Sequence, residues 1–205
     1  LQNKYPFDGM LVWYLFIFVL GLFAYPVARL ALPGLKQYAY PLGRVVGLIL
    51  LAWIAWMGGS VGVPYTRVSI SVAFVIIAVA GISLWMKRRE EFKDDWNANR
   101  QFFVITEIVF LSFFLIDLLI RLGNSDMWHP SKGGERPMDF SYFNAVLKST
   151  SFPPYDPWFA GGYINYYYYG FVLAGTPVKL LGIVPSIAYN FILPTWFALI
   201  AVSAF

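Results

Sequence analysis

Hydrophobic residues run along this chain in long blocks, each closed by charge, proline or glycine. A helix crossing the hydrocarbon core of a bilayer needs about 20 mostly apolar residues. Six blocks reach or approach that length: roughly 9–32, 41–63, 68–86, 101–122, 167–183 and 188 to the end. The pattern predicts an all-α polytopic membrane protein with about six transmembrane helices, because backbone polar groups inside a bilayer are satisfied within helices. Pro26 lies inside the first block and predicts a kink there.

The longest polar stretch, 123–165, separates the fourth and fifth blocks. Loops of that length are functional or disordered. Disordered segments are poor in aromatics, whereas this one carries Trp128, Phe140, Tyr142, Trp158 and Tyr163 among others. It reads as an ordered loop in three parts. Residues 131–137 (SKGGERP) form turns. Residues 138–149 place Phe140, Phe143, Val146 and Leu147 at helical spacing, which predicts a short helix lying in the interface. Residues 152–165 hold three prolines and return the chain to the membrane without helix.

Charge orients the pattern. Lys87, Arg88, Arg89, Lys93 and Arg100 crowd the link between blocks three and four, and Arg29, Lys36 and Arg44 surround the link between blocks one and two. The positive-inside rule puts both links in the cytoplasm and the 123–165 loop on the outer face. Lys179, near the far end of the fifth block, agrees with this. The mixed-charge link 87–100 reads as a solvated turn.

Composition adds to the membrane reading. The 205 residues are 59% hydrophobic and 13% charged, against about 25% charged in soluble domains. The net charge of +4 collects at the ends of apolar runs, so nucleic acid is not an expected partner. The chain has no cysteine, which excludes disulfides, thiolate zinc sites and cysteine nucleophiles. The first block lacks a basic leader and a small-residue cleavage site, so it reads as a span rather than a signal peptide. Leu1 at the start and Phe205 inside an apolar run suggest a piece of a longer polypeptide. The part beyond Phe205 is then expected to complete any site.

Carboxylates carry the candidate chemistry. Asp139 begins the short helix beside the membrane. Helix amides would hold it ionised, fit to act as a general base or to orient a nucleophile or cation; as a favoured helix cap it could equally be structural. Glu135, four residues earlier, shares that site or pairs with Arg136. Asp156 before Pro157 suits a turn. Tyr166 to Tyr169 read as an interfacial belt or as ligand contacts. In the fourth block, Asp117 and Arg121 are spaced for a local ion pair, while Glu107 has no partner in its own span and faces the bundle. His129 has no histidine partner for a metal site.

The string GGERPMDFSYFNAVLKSTSFPPYDPWFAGGYINYYYYG resembles the signature of the "YYY" integral-membrane domain family. The stretch WYLFIFVLGLFAYPVARLALPGLKQYAYPLGRVVGLILLAW resembles that family's amino-terminal region. The family in turn is similar to the GT-C superfamily of membrane glycosyltransferases. Those enzymes use lipid-linked sugars and carry an acidic residue at the head of an interfacial helix in their first large outer loop. Asp139 matches that position, although Phe140 stands where many members have a second acid.

The resemblance implies two regions. Residues 1–100 form an amino-terminal three-span unit. Residues 101–205 start a GT-C-like module of span four, loop 123–165 and spans five and six. The implied function is transfer of a sugar from a polyprenyl-phosphate donor to an acceptor on the outer face of a prokaryotic plasma membrane. Asp139 and Glu135 are the catalytic candidates. His129, Lys132, Arg136, Lys148, Asp156, Trp158, Asn165, Tyr166 and Tyr167 are the substrate-binding candidates. The implied partners are membrane lipid and the donor itself, with room for a divalent cation, Mg or Mn. The competing reading is a non-catalytic transporter or envelope scaffold, with Glu107 and Asp117 lining a path.

Overall fold

The structure, a computed structural model, describes residues 6–123 and 134–205. Trp128, His129 and Lys132 lie outside the described residues. The described chain is helical: α1 Pro6–Ala31, α2 Gly43–Ser60, α3 Arg67–Lys87, α4 Arg89–Gly123, α5 Arg136–Lys148, α6 Tyr169–Leu181 and α7 Pro185–Ala204. A single 3-10 turn, Lys36–Ala39, joins α1 to α2.

Among the described residues, five helices are long and apolar enough to cross a membrane: α1, α2, α3, α4 and α7. Their outward faces stay apolar. On α3, Val68, Val72, Val75, Ile76 and Val79 are all exposed, while Ile70, Ala73, Ile77 and Gly81 form a narrow buried seam. Water would penalise such a surface, and lipid matches it. The fold is that of an all-α integral membrane protein.

The fifth expected span does not form. α6 has 13 residues, about 20 Å at 1.5 Å per residue, against a core of about 30 Å. Both of its ends sit at the same end of the bundle. At its start, the Tyr168 hydroxyl accepts a hydrogen bond from Trp56 Nε1 near the end of α2 (3.2 Å). At its finish, Lys179 Nζ donates to the Ser149 carbonyl (2.6 Å), and the Lys179 carbonyl accepts from Arg67 Nε at the start of α3 (3.1 Å). α6 therefore lies against α2 and α5 instead of crossing.

The chain direction follows from such pairings. Arg29 on α1 bonds Asp95 on α4 (2.8 Å) at one end. Arg121 on α4 bonds Asn190 on α7 (3.1 Å) at the other. Phe205 then stacks on Phe102 back at the first end. The basic end carries Arg29 and residues 87–100, and the loop end carries α5, α6 and the 149–168 connection. Lys179 belongs to the loop end, so it no longer supports the orientation, which rests on the two short basic links.

The link 87–100 is not a turn either. Arg88 alone separates α3 from α4, and α4 then runs for 35 residues. That is about 52 Å, so its first ten residues or so project beyond a core of about 30 Å. Asn99 breaks the helical geometry where the charged and apolar parts meet (φ −129°, ψ 23°). The charged segment is anchored by buried Phe92, which packs edge-on against Tyr25.

Small residues let the spans approach closely, the usual means of packing helices in lipid. A Cβ on Gly81 of α3 would lie 1.9 Å from the Phe23 carbonyl oxygen of α1. A Cβ on Gly43 of α2 would lie 2.8 Å from the Gly21 carbonyl oxygen. Polar bonds tie the bundle centre together. Trp13 Nε1 donates to Thr195 Oγ1 across α1 and α7 (2.8 Å). Thr66 and Ser69 close a reciprocal cap on α3.

Candidate functional site

α5 forms where the apolar spacing expects it, with Pro137 in its first turn. Tyr142, Phe143 and Val146 are buried. Phe140 and Phe143 meet Tyr189 of α7 edge-on (5.6 and 5.9 Å between centroids). Val146 and Leu147 fill the space beside Gly175 of α6. α5 is thus wedged between α6 and α7 at the loop end, with its polar face turned outward.

Asp139 sits in the first turn of α5. Glu135 is the N-cap residue, but neither side chain bonds the helix amides. Among the described residues the Asp139 carboxylate accepts no hydrogen bond, so the expected amide cradle is absent. Partial burial and the Glu135 charge one turn away push its carboxyl above the ordinary aspartate range. Glu135 and Arg136 form no ion pair with each other; the pairs among the described residues are Arg29–Asp95, Arg44–Glu107 and Arg88–Glu91. Tyr189 feels the charges of Asp139, Arg121 and Arg136, and Tyr167 feels those of Asp139 and Glu135. Glu135, Arg136, Asp139 and Tyr167 therefore share one locality. Arg121, Tyr189 and Asn190 complete it.

The other site candidates fall elsewhere. Lys148 ends α5, about 14 Å along the axis from Asp139. Residues 154–164 fold back on themselves: Asp156 N donates to the Gly162 carbonyl and Ile164 N to the Pro154 carbonyl (both 2.9 Å). Tyr155 and Tyr163 stack across this turn. Asp156 Oδ1 accepts from Trp158 N (2.8 Å), which is a turn role. Trp158 Nε1 donates to Ser141 Oγ (2.7 Å), pinning the turn to α5 beside the Asp139 locality. The remainder of Trp158 is exposed, as is Asn165.

The tyrosine run divides in two. Tyr166 and Tyr167 are exposed and precede the helix. Tyr168 and Tyr169 dock on Trp56, and Tyr168 also stacks on Phe152. Phe152 precedes a cis proline bond and packs against Gly59 and Tyr65. The loop is thereby clamped to the α2–α3 link, where Tyr65 N also donates to the Thr150 carbonyl (2.7 Å).

Two groupings were not legible in the chain order. Glu107 does have partners, on other elements. Arg44 Nη2 lies 2.5 Å and Tyr40 Oη 2.7 Å from its carboxylate oxygens. Arg44 is 3% exposed, and its guanidinium also lies 4.1 Å from the Phe110 ring centroid. Asp117 and Arg121 do not pair, because Arg121 turns to Asn190 instead. At the loop end, Lys179 is half-buried above the Tyr65 ring (4.3 Å) beside a cavity of about 450 Å³ shared with Arg67. Burial lowers its ammonium to a pKa of about 8.

A divalent cation finds few ligands here. Among the described residues no three or more of His, Cys, Asp and Glu gather. Glu135 and Asp139 alone are too few for the six oxygens such ions prefer.

Fold and site together define a class: a helical integral membrane protein whose α5 and aromatic 149–168 connection pack at one end of the bundle. The chain belongs to the family described as uncharacterised membrane protein, DUF2298, whose profile matches residues 50–205. The match spans the whole described loop, α5 and the tyrosine run. No curated protein and no solved structure matches the chain.

Proposed function

We propose that this chain belongs to a membrane glycosyltransferase that uses a polyprenyl-phosphate sugar at the loop end, taken as the outer face. The observation carrying this reading is Asp139: a half-buried carboxyl with a raised pKa in the first turn of α5, packed at the loop end against α6 and α7. A carboxyl held above the ordinary aspartate range is a stronger base than a free aspartate. Asp139 takes the proton of an acceptor hydroxyl as its oxygen attacks the anomeric carbon. The bond from that carbon to the phosphate oxygen breaks, and the electron pair leaves with the phosphate. The transition state resembles an oxocarbenium ion. In this reading Arg136, and Arg121 whose charge it feels, meet the charge on the departing phosphate. Exposed Trp158, Tyr166 and Tyr167 offer faces on which a sugar or isoprenoid can pack.

The transporter reading asks Glu107 to line an open polar path. Its capture by Arg44 and Tyr40 favours a structural role instead.

The test uses the full-length protein in membranes, supplied with polyprenyl-phosphate sugars and scored for glycosyl transfer. Asp139→Asn is expected to lower turnover by about 10²- to 10⁴-fold, the usual worth of a general base. Unchanged turnover removes Asp139 from the chemistry. Absence of transfer by the unaltered protein with every donor removes the enzyme reading.

A further inference from the structure

At the basic end, far from α5, a cavity of about 590 Å³ opens between α1, α3 and the start of α4. Its size falls within the range of ligand-binding pockets. Phe23, Tyr25, Ile82, Phe92 and Phe103 supply apolar walls. The close approach of Gly81 to Phe23 seals it toward the bundle.

The rim differs sharply from the walls. Arg89, Lys93 and Trp96 line it from one face of α4, spaced i, i+4 and i+7. Trp85 completes it from α3. Trp85 and Trp96 are 46% and 47% exposed, as expected for rings at headgroup depth. Arg89 and Lys93 are exposed and have no ion-pair or hydrogen-bond partner among the described residues. The acids of the same segment do not neutralise them. Asp95 is bound by Arg29 and Glu91 by Arg88. Glu90 and Asp94 lie about 60° and 100° around the helix from Lys93, and neither forms an ion pair with it or with Arg89.

We propose that this cavity is a binding site for one anionic glycerophospholipid of the leaflet at the basic end. An acyl chain occupies the apolar space between α1 and α3, and the headgroup phosphate sits between Arg89 and Lys93. Basic pockets between spans are suited to anionic headgroups, each cation adding to the attraction. The tryptophans bracket the glycerol level. The occupant follows from the combination: an apolar space reached from the lipid side, ending in two unneutralised cations at interface depth. A soluble phosphate would leave the walls unfilled, and a zwitterionic lipid would leave the cations unmatched. The site is independent of the sugar-transfer reading, since it lies at the opposite end of the bundle.

The experiment is native mass spectrometry of the full-length protein in detergent, titrated separately with phosphatidylglycerol, phosphatidylcholine and glycerol phosphate. Phosphatidylglycerol is expected to bind first and tightest, and glycerol phosphate not at all. Loss of each cation is expected to weaken binding about fivefold, so Arg89→Gln with Lys93→Gln loses about 25-fold. Ile82→Trp fills the walls and should displace the lipid while leaving both charges. Lys87→Gln removes a nearby charge outside the cavity and should bind as the parent does. Equal binding of both phospholipids overturns the proposal, as does full affinity in the double variant. A Lys87→Gln loss as large as either rim variant's also overturns it, because a diffuse surface field would then hold the lipid. Binding of glycerol phosphate as tight as the lipid's reassigns the site to a free phosphate ester and sinks the lipid assignment. If Ile82→Trp fails to fold, the rim double variant still decides the matter.

Discussion

Two charged side chains show how burial in the bundle changes a residue's energetics. Removing one member of a buried ion pair strands the other, typically at about 3–5 kcal/mol, whereas replacing both with apolar groups costs far less. Arg44→Met should therefore destabilise the bundle by about that amount, because it leaves Glu107 with Tyr40 alone. Arg44→Met combined with Glu107→Leu should be clearly milder. Unfolding in mixed micelles measures both, and equal losses would show that the pair is not the stabilising unit. Lys179 gives a pH signature. Its folded pKa of about 8 lies below the ordinary 10.5, so the unfolded chain holds more protons between those values. Stability should rise with pH across that window, as the penalty on the buried ammonium is relieved. In Lys179→Met that rise should vanish. The readout is the difference in Tm between the two proteins from pH 8 to 10.5, since tyrosines titrating near the top of the window are common to both. Chain order alone reveals that Glu107 and Lys179 are unusual. It does not reveal their partners, which lie 60 or more residues away on α2 and the turn before it for Glu107, and on a link and a loop for Lys179.

Among the elements, the short helix α5 and the spans α1 to α3 were legible, because apolar spacing and breaker residues agree with the tertiary packing. α6 was not. Its 13 residues are as apolar as a span, yet Gly182 at φ +70° and Pro185 end it and turn the chain back into α7 at the loop end. Hydropathy reports that a segment avoids water, and burial within a bundle satisfies that demand as well as lipid does. The α1–α3 contact likewise depends on one glycine. Gly81→Ala should force α1 and α3 apart and cost about 1–3 kcal/mol, the range for overpacking, since the obstacle is Phe23 backbone and not a movable side chain. Gly34→Ala, with open space around it, should be close to neutral. Equal Tm values for the two variants would contradict the close approach.

For the whole molecule, the five candidate crossings among the described residues, where six are expected from hydropathy, change which segments share a side. Trp158, Ser186 and the end of α6 belong to one face, and Lys93 to the other. The absence of native cysteine makes this directly testable. Single cysteines at Trp158 and Ser186 in the full-length protein should react with a membrane-impermeant maleimide from the same side. A cysteine at Lys93 should react only from the opposite side. Labelling of Ser186→Cys together with Lys93→Cys would restore the crossing by α6.

The sequence by itself determined that this is a helical membrane protein, where its long spans run, and that an ordered aromatic loop with a short helix follows α4. Those features depend on local composition and period, which any lipid environment reads in the same way. Only the tertiary structure decided that α6 stays at the loop end, that Glu107 is neutralised by Arg44 and Tyr40, and that Asp139 lies bare between α7 and the tyrosines. Each of these depends on which surfaces meet across distant parts of the chain, and one-dimensional spacing carries no record of such meetings.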